Sequence, residues 1–187
     1  MVRKVLEATA QVLGEVGLEA TSTNKIAARA GIAVGSIYQY FPNKEAIFDG
    51  LVDDRIRRLE AMASNQMAAL RTRSYPEAAD AMLRATIDFY ASEPELAPLL
   101  VSRTTLELPY PEHNFFAHRV HDIARGYLLA YAGDLNVEDF DLAATISMHV
   151  VGHFAPWIAL SVSDEELRER FINEVVRMLS TWVGAKP

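Results

Sequence analysis

The 187-residue sequence predicts an all-α fold. Apolar residues recur every three or four positions along most of the chain, as on the buried face of a helix. We find no run of alternating β-branched residues bounded by turn residues, which argues against strands. Half of the residues are hydrophobic, enough for one sizeable core or two modest ones. These observations exclude a disordered tail and a small disulfide-stapled fold.

Four helices are predicted in the first 70 residues. Their periodicity places them at residues 2–16, 23–30, 34–41 and 44–70. Gly17 and Gly31 stand where a left-handed residue would end the first and second helices. Ser22 is the expected N-cap of the second helix, and Pro42 should end the third. The fourth helix is long enough to link two parts of the protein.

Five longer and more apolar helices are predicted in the rest of the chain. They span residues 76–91, 94–102, 112–132, 137–160 and 164–183. Asn136 is expected to cap the fourth of these helices, and Ser163 with Glu166 fits a capping box for the last. Residues 104–114 contain two prolines and are interpreted as a loop.

The charge of the chain is unevenly distributed. The net charge is −7, yet residues 1–58 carry eight basic and seven acidic side chains, so the acidity belongs to the later part. Two parts with different electrostatic roles are therefore expected.

The chain has no cysteine, which excludes disulfides and thiol chemistry. Because no apolar run of about 18 residues and no signal-peptide pattern occurs, we expect no membrane partner and a cytoplasmic location.

Residues 22–41 have the spacing of a helix-turn-helix. Two short helices flank the tight connection Gly31-Ile32-Ala33, so the second helix can project into a DNA major groove. Small residues at 27 and 30 allow close helix approach. Gly35 would let the backbone come near DNA, at a helix-propensity cost of about 1 kcal/mol relative to alanine.

The segment Thr21 to Phe48, TSTNKIAARAGIAVGSIYQYFPNKEAIF, resembles the DNA-binding segment of the tetracycline-repressor-like (TetR) family of bacterial transcriptional regulators. The Ile-Ala pair, the Ala-Gly-Ile turn, the Gly-Ser-Ile-Tyr-x-Tyr-Phe helix and the following Lys-Glu are in register. The resemblance implies a helix-turn-helix DNA-binding domain at residues 1–45 and a ligand-binding and dimerisation domain at residues 46–187. It also implies a ligand-responsive regulator, a repressor released from a palindromic operator by a small molecule.

The resemblance implies that several positions contact double-stranded DNA. They are Thr23, Asn24, Lys25, Ala33, Val34, Gly35, Ser36, Tyr38, Gln39, Tyr40 and Lys44. Gln39 is the candidate for base readout, because its amide can pair bidentately with adenine. Tyr38 and Tyr40 would donate hydroxyls to phosphates, and Lys44 would hold phosphate with the N-terminal dipole of its helix.

Alternatives remain open for these assignments. Tyr40 is equally compatible with a place in the core, and Lys44 with an ordinary surface charge.

Two positions depart from the pattern of the family. Val34 stands where many members have a basic residue, and where many members carry a longer basic arm before the first helix, only Arg3 and Lys4 lie near the start of this sequence. Fewer cations release fewer counterions, so a weak monomer affinity with a shallow salt dependence is expected.

The last two helices are the predicted homodimer interface. The positions proposed for it are Ala143, Ala144, Ser147, Val151 and Ala155 on the first helix and Leu167, Phe171, Val175, Met178 and Trp182 on the second. The alternative is that these apolar faces only close the core of one protomer.

An unknown small-molecule effector is predicted to bind in the later helices. The candidate residues are Phe89, Tyr110, Phe116, Tyr127, Tyr131, His149, His153 and Trp157. Aromatic residues at helical spacing are also typical of a plain core. The pairs His118/His121 and His149/His153 each share a helix face, but without cysteines or an HExxH motif we predict neither a metal site nor a cofactor.

No enzyme motif is found in the sequence. The chain lacks a Gly-rich phosphate loop and a G-x-S-x-G elbow, so no catalytic role is expected. The alternative function is a small-molecule-binding helical dimer without sequence-specific DNA recognition, which the acidic balance and the short basic arm favour.

Overall fold

The computed structural model describes residues 1–70, 72–104 and 115–185. These residues form helices and no strand, so the all-α prediction is confirmed. The helices are α1 (Val2–Ala20), α2 (Thr23–Ala30), α3 (Val34–Tyr38), α4 (Lys44–Leu70), α5 (Tyr75–Ser92), α6 (Ala97–Thr104), α7 (Phe115–Ala130), α8 (Phe140–Ser161) and α9 (Glu165–Trp182). A 3₁₀ turn at Pro94–Leu96 precedes α6.

The first three helices and the start of α4 enclose a small core. Val5, Ile26, Ile37, Phe41 and Ile47 are buried together in it. Each helix contributes apolar residues from one face only, so the opposite faces of α2 and α3 remain in solvent.

A larger core lies around the middle of α4. Leu51 and Ile56 of α4 are buried with Leu83 and Ile87 of α5, and Leu13 of α1 reaches the same cluster. Residues of α6, α8 and α9 complete it. Since α4 contributes to both cores, it connects the first three helices to the later bundle.

Several helix ends differ from the prediction. The third helix ends at Tyr38, not at residue 41, and Phe41 turns into the core. Pro42 keeps Phe41 out of the helical region and has no N–H to donate to the carbonyl of Tyr38. The first helix is broken at Gly17, which adopts φ 75°, but helix resumes as far as Ala20.

The predicted caps of the last two helices are wrong. α8 begins later than expected, and its N-cap is Asp139, whose carboxylate accepts from the backbone N–H groups of residues 141 and 142 at 3.0 and 2.9 Å. Asn136 instead donates its N–H to the carbonyl of Val183 at 2.9 Å. α9 is capped by Asp164, which accepts from the N–H of Leu167 at 2.7 Å, and Ser163 is not the cap.

The face of α8 predicted to form the dimer interface is buried within the protomer. Ala143, Ala144, Ser147 and Ala155 are all in its interior, where α8 packs on α5 and α7. The exposed face is a different line of residues, which we call the outer stripe of α8. It consists of Leu142, Ile146, His149, His153, Trp157 and Leu160.

The outer face of α9 agrees better with the prediction. Leu167, Met178 and Trp182 are exposed, Phe171 is half-buried, and Val175 is in the core.

Among the described helices, α8 alone is long and apolar enough to cross a membrane by length and composition, with a mean hydropathy of 1.2 over its best window. A third of that window is buried inside the protomer.

Ion pairs attach α4 to the later helices. Arg119 of α7 donates to Asp53 at 2.5 Å and to Glu60 at 2.6 Å, and Arg55 donates to Glu93 at 2.5 Å. The hydrogen bond from Arg119 lowers the pKa of Glu60. Burial raises the pKa of Asp53, but hydrogen bonds from arginines 57 and 119 outweigh it and lower this pKa.

Candidate nucleic-acid interface and ligand cavity

α2 is capped at both of its ends, and its C-terminal cap begins the turn to α3. Ser22 caps α2, and its hydroxyl accepts from the N–H of Lys25 at 3.4 Å. Gly31 ends α2 in the left-handed region, at φ 61° and ψ 44°, which glycine adopts without the steric cost of a Cβ. The N–H of Ile32 then donates to the carbonyl of Ala27 at 3.1 Å. This turn sets the angle at which α3 leaves α2.

A single buried side chain anchors α3. Ile37 is fully buried, between the residues that α1, α2 and α4 contribute to the first core. The remaining α3 side chains are exposed or half-buried. Tyr38 and Tyr40 have half of their surface exposed, so the interpretation of Tyr40 as a core residue is wrong.

The predicted DNA-contacting residues of α2 and the start of α4 lie beside α3. Thr23 is half-buried with its hydroxyl 3.4 Å from that of Tyr38, which joins the two helices. Asn24 and Lys25 are exposed, and Lys25 donates to the carbonyl of residue 20 at 2.8 Å. Lys44 is half-buried and donates to the carbonyl of Thr21 at 3.4 Å.

On α3 and the turn before it, the predicted positions also face outward. Ala33, Gly35 and Gln39 are exposed, whereas Val34 and Ser36 are half-buried. An ideal Cβ built at Gly35 would meet no atom of the protein within 4 Å. The structure thus brings all predicted DNA-contacting positions to one region, with Gln39 free of the core.

The positive charge of this region comes from few side chains. In the described structure Lys25 and Lys44 bond to backbone carbonyls and not to carboxylates, so their charges are not neutralised. Arg29 pairs with Glu15 and is compensated. A negatively charged surface such as a phosphate backbone would be attracted mainly by the two lysines.

A second site is a cavity of about 240 Å³ within the later bundle. Its walls come from α4 to α8, with two residues from α9. Of the predicted effector residues, Phe89, Tyr127, His149 and His153 line it. The two histidines are also exposed to solvent on the outer stripe of α8.

Other predicted effector residues lie elsewhere. Phe116 packs against the larger core, and Tyr131 contacts the ring of Tyr75 with centroids 5.7 Å apart. Trp157 is 40% exposed and meets the ring of Phe171 edge to face at 4.8 Å. None of the three lines the cavity. Tyr110 lies outside the described residues.

The sequence analysis missed the wall formed by α4. Ile56, Leu59 and Ala63 line the cavity from this helix. Their spacing of three and four residues is the signal in the sequence that they share one helix face, whereas the predicted effector residues are aromatic and histidine side chains of the later helices. Ser147, predicted to be at the dimer interface, also lines the cavity.

The cavity is apolar and carries a few hydroxyl groups. Among its described lining residues there is no aspartate, glutamate, lysine or arginine. Burial raises the pKa of Tyr75 and of Tyr90 to about 12, and burial also raises the pKa of Tyr127. These phenols therefore keep their protons at neutral pH. Such a lining suits an apolar molecule held by a few polar contacts.

The histidine pairs do not form a metal centre in the described part of the chain. No group of three or more potential ligands comes together there. The ring Nε2 of His121 lies 3.1 Å from the carbonyl oxygen of Asp141, and His118 is exposed.

Comparison with known proteins matches both parts of the chain. Residues 5–51 match the model for bacterial regulatory proteins of the tetR family. Residues 74–182, more than half of the chain, match the model for the tetracyclin repressor-like C-terminal domain.

Curated relatives are transcriptional regulators by name. The HTH-type transcriptional repressor DrrR1 of Streptomyces coeruleorubidus is 34% identical over 103 residues, 55% of this chain and 36% of DrrR1. The HTH-type transcriptional regulator BetI of Cronobacter sakazakii is 24% identical over 168 residues, 75% of this chain and 82% of BetI. The chain spans 36% and 54% of the length of DrrR1 and of BetI from Vibrio atlanticus.

Solved structures share the fold over nearly the whole chain. The regulator FadR of Bacillus subtilis, in complex with stearoyl-CoA, has a TM-score of 0.76 at 21% identity and covers 100% of both chains. RolR, in complex with resorcinol, has a TM-score of 0.65 at 17% identity and covers 99% of this chain and 88% of RolR. With its helix-turn-helix and its later bundle each matched, the chain belongs to the tetR family of bacterial regulatory proteins.

Proposed function

We propose that the chain is a transcriptional repressor that binds a palindromic operator as a homodimer and leaves it when a small molecule enters the cavity. The observation that carries the proposal is the solvent-exposed α3, held at a fixed angle by Gly31 and anchored by Ile37. Residues 1–45 would read DNA, and residues 46–187 would dimerise and bind the effector. We place the protein in the cytoplasm, where its operator would be.

In this proposal, one side chain recognises a base and other side chains bind the DNA phosphates. Gln39 is exposed at the end of α3 and contacts a base edge, because its amide matches adenine in the major groove. The hydroxyls of Tyr38 and Tyr40 and the ammonium groups of Lys25 and Lys44 contact phosphates. The remaining predicted positions, including Thr23 and Asn24, lie close enough to α3 to approach the same groove or its phosphate edge.

Sequence selection from random duplex DNA at low salt tests this part of the proposal. We expect a palindrome with two half-sites about one helical turn or more apart. Gln39→Ala should reduce discrimination at one position of each half-site by about 5- to 150-fold, the range of a lost bidentate contact. Gln11→Ala, which changes an exposed glutamine of α1, is the matched control and should bind as the unmodified protein does.

Recovery of no preferred sequence by a folded dimer would favour the alternative function. The protein would then be a small-molecule-binding helical dimer without sequence-specific DNA recognition. Catalysis has no place in either proposal, since the curated relatives matched are named as regulators. Turnover of a bound ligand would contradict both.

A second copy of the chain is the proposed partner of α8 and α9. The outer stripe of α8 and the exposed Leu167, Met178 and Trp182 of α9 form apolar surface in a family whose members assemble into dimers. We expect a dimeric mass at micromolar concentration by sedimentation. Ile146→Glu should give a monomer, whereas Leu129→Glu on the exposed face of α7 should remain dimeric. A monomeric unmodified protein would contradict this.

The effector is proposed to act through α4. This helix lines the cavity with Ile56, Leu59 and Ala63, and it begins at Lys44 beside the reading helix. A ligand that displaces the cavity-lining part of α4 moves Lys44 and changes the separation of the two α3 helices. Such coupling requires that the ligand bind the free and DNA-bound forms with different affinity. Equal DNA affinity with and without bound ligand would refute it.

A further inference from the structure

Two buried hydroxyl groups in the cavity have no hydrogen-bond partner. The hydroxyls of Tyr127 and Ser147 are both without a partner in the described structure, and each residue is more than nine-tenths buried. Both residues line the cavity, Tyr127 from α7 and Ser147 from α8. A buried polar group left unpaired destabilises a folded protein, and such groups are rare in proteins. Both hydroxyls are therefore available to donate to a molecule that enters the cavity.

The charge of the walls limits what this ligand can be. No aspartate, glutamate, lysine or arginine is present among the described lining residues, and the two histidines are on the outer stripe of α8. An anion or cation placed between Tyr127 and Ser147 would lose its hydration without gaining a counterion, which is strongly unfavourable. A neutral molecule avoids this cost.

We propose that Tyr127 and Ser147 bind the oxygen of a neutral carbonyl compound whose remaining body is apolar. A carbonyl oxygen has two lone pairs and accepts from two hydroxyls at once. Apolar side chains such as Leu59, Met82 and Val151 surround the rest of the molecule. The inference rests on the proposed function, because it treats the cavity as the effector site.

The protonation state of Tyr127 suits this role. Burial is the main cause that raises the pKa of Tyr127, and electrostatic repulsion from the ionised phenols of Tyr131 and Tyr75 adds to it. The phenol is therefore protonated throughout the neutral range and donates its O–H to the ligand.

Three probes of similar length and different charge test the ligand class. We would titrate the full chain, free of DNA, with octan-2-one, octanoate and octylammonium at neutral pH in a calorimeter. We expect heat of binding with the ketone and none with the two ions. Binding of either ion as tightly as the ketone, or binding of none of the three, would overturn the proposal.

Variants then test the two hydroxyls. Tyr127→Phe and Ser147→Ala should each weaken ketone binding about 5- to 10-fold, the effect of one net hydrogen bond. The melting temperature of the ligand-free protein should stay the same or rise, because an unpaired polar group is removed. Wild-type ketone affinity in both variants would refute the assignment.

Ser180→Ala is the matched control. Its hydroxyl is also buried and without a partner in the described structure, but Ser180 does not line the cavity. The variant should resemble Ser147→Ala in stability and bind the ketone as the unmodified protein does. These titrations contain no DNA, so they test ketone binding independently of operator binding. A protein that binds no operator could still bind the ketone, and a protein that does not bind the ketone could still bind its operator.

Discussion

Replacing Gly35 of α3 by alanine should affect the stability of the fold and the affinity for DNA in opposite directions. Gly35 is the second residue of α3, it is exposed, and its φ is not in the left-handed region. An added Cβ meets no atom of the protein within 4 Å. The protein itself therefore gives no steric reason for a glycine at this position.

The size of the effect on folding follows from helix propensity. Alanine exceeds glycine by about 1 kcal/mol in a helix interior, and about half of this applies in the first turn of the short α3. The free energy of unfolding should rise by about 0.5 kcal/mol, which raises the melting temperature by about 1–2 °C in a chain of this size. DNA binding should weaken by about tenfold or more, because each protomer of the proposed dimer would then carry a methyl group where we propose that the backbone approaches the groove.

The assay pairs thermal unfolding with titration of the selected operator. Gly126→Ala is the matched control, since an added Cβ in α7 also meets nothing within 4 Å and lies far along the chain from α3. It should gain stability and keep wild-type DNA affinity. If Gly35→Ala bound DNA as tightly as the unmodified protein, the α3 backbone would not approach DNA closely at this position. If Gly35→Ala had a lower melting temperature, the space around Gly35 would not be open to a methyl group.

Three further predictions concern α4 and the turn before α3. Arg119→Met removes the pairs to Asp53 and Glu60 and should lower the free energy of unfolding by about 1 kcal/mol at neutral pH. The pKa values of Asp53 and Glu60 are lowered in the folded protein, so these carboxyls stabilise the fold at pH values above their ordinary pKa and lose this effect as the pH falls. The loss of unfolding free energy caused by Arg119→Met should therefore become smaller below pH 4.5. Urea unfolding that shows the same loss in acid would contradict this. Lys44→Gln should weaken binding to all DNA sequences and reduce the salt slope by about 1 per protomer in titrations at several salt concentrations, and an unchanged slope would exclude a phosphate contact. Gly31→Ala should cost about 1–2 kcal/mol in thermal unfolding because of its φ of 61°, and an unchanged melting temperature would contradict that conformation.

The helix-turn-helix could be predicted because its signals are local. Ser22 and Gly31 each act on backbone groups within a few residues, so their positions alone specify the bounds of α2. The end of α3 was misjudged although Pro42 was noted, because a proline affects the whole turn before it: it keeps Phe41 out of the helical region and has no N–H to donate to the carbonyl of Tyr38.

The faces of the later helices depend on which element packs where. Small residues such as Ala143 and Ala144 suit close packing within one protomer as well as between two, so the sequence did not distinguish these arrangements. The same ambiguity affected Ser147, which faces the cavity, and Trp157, which does not. Periodicity identifies the apolar sides of a helix, but tertiary contacts decide which partner covers each side.

The length of α4 means that a small tilt at the cavity would become a larger displacement at the other end of the helix. Lys44 and Leu59 are separated by about 22 Å along the helix axis at 1.5 Å per residue. A tilt of about 5° around the cavity end moves Lys44 by about 2 Å, and two protomers tilting in opposite senses change the half-site separation by about 4 Å, slightly more than the roughly 3.4 Å between successive base pairs. In the proposed dimer, an effector that altered the angle of this one helix would shift the two α3 helices out of register with the operator by about one base-pair step.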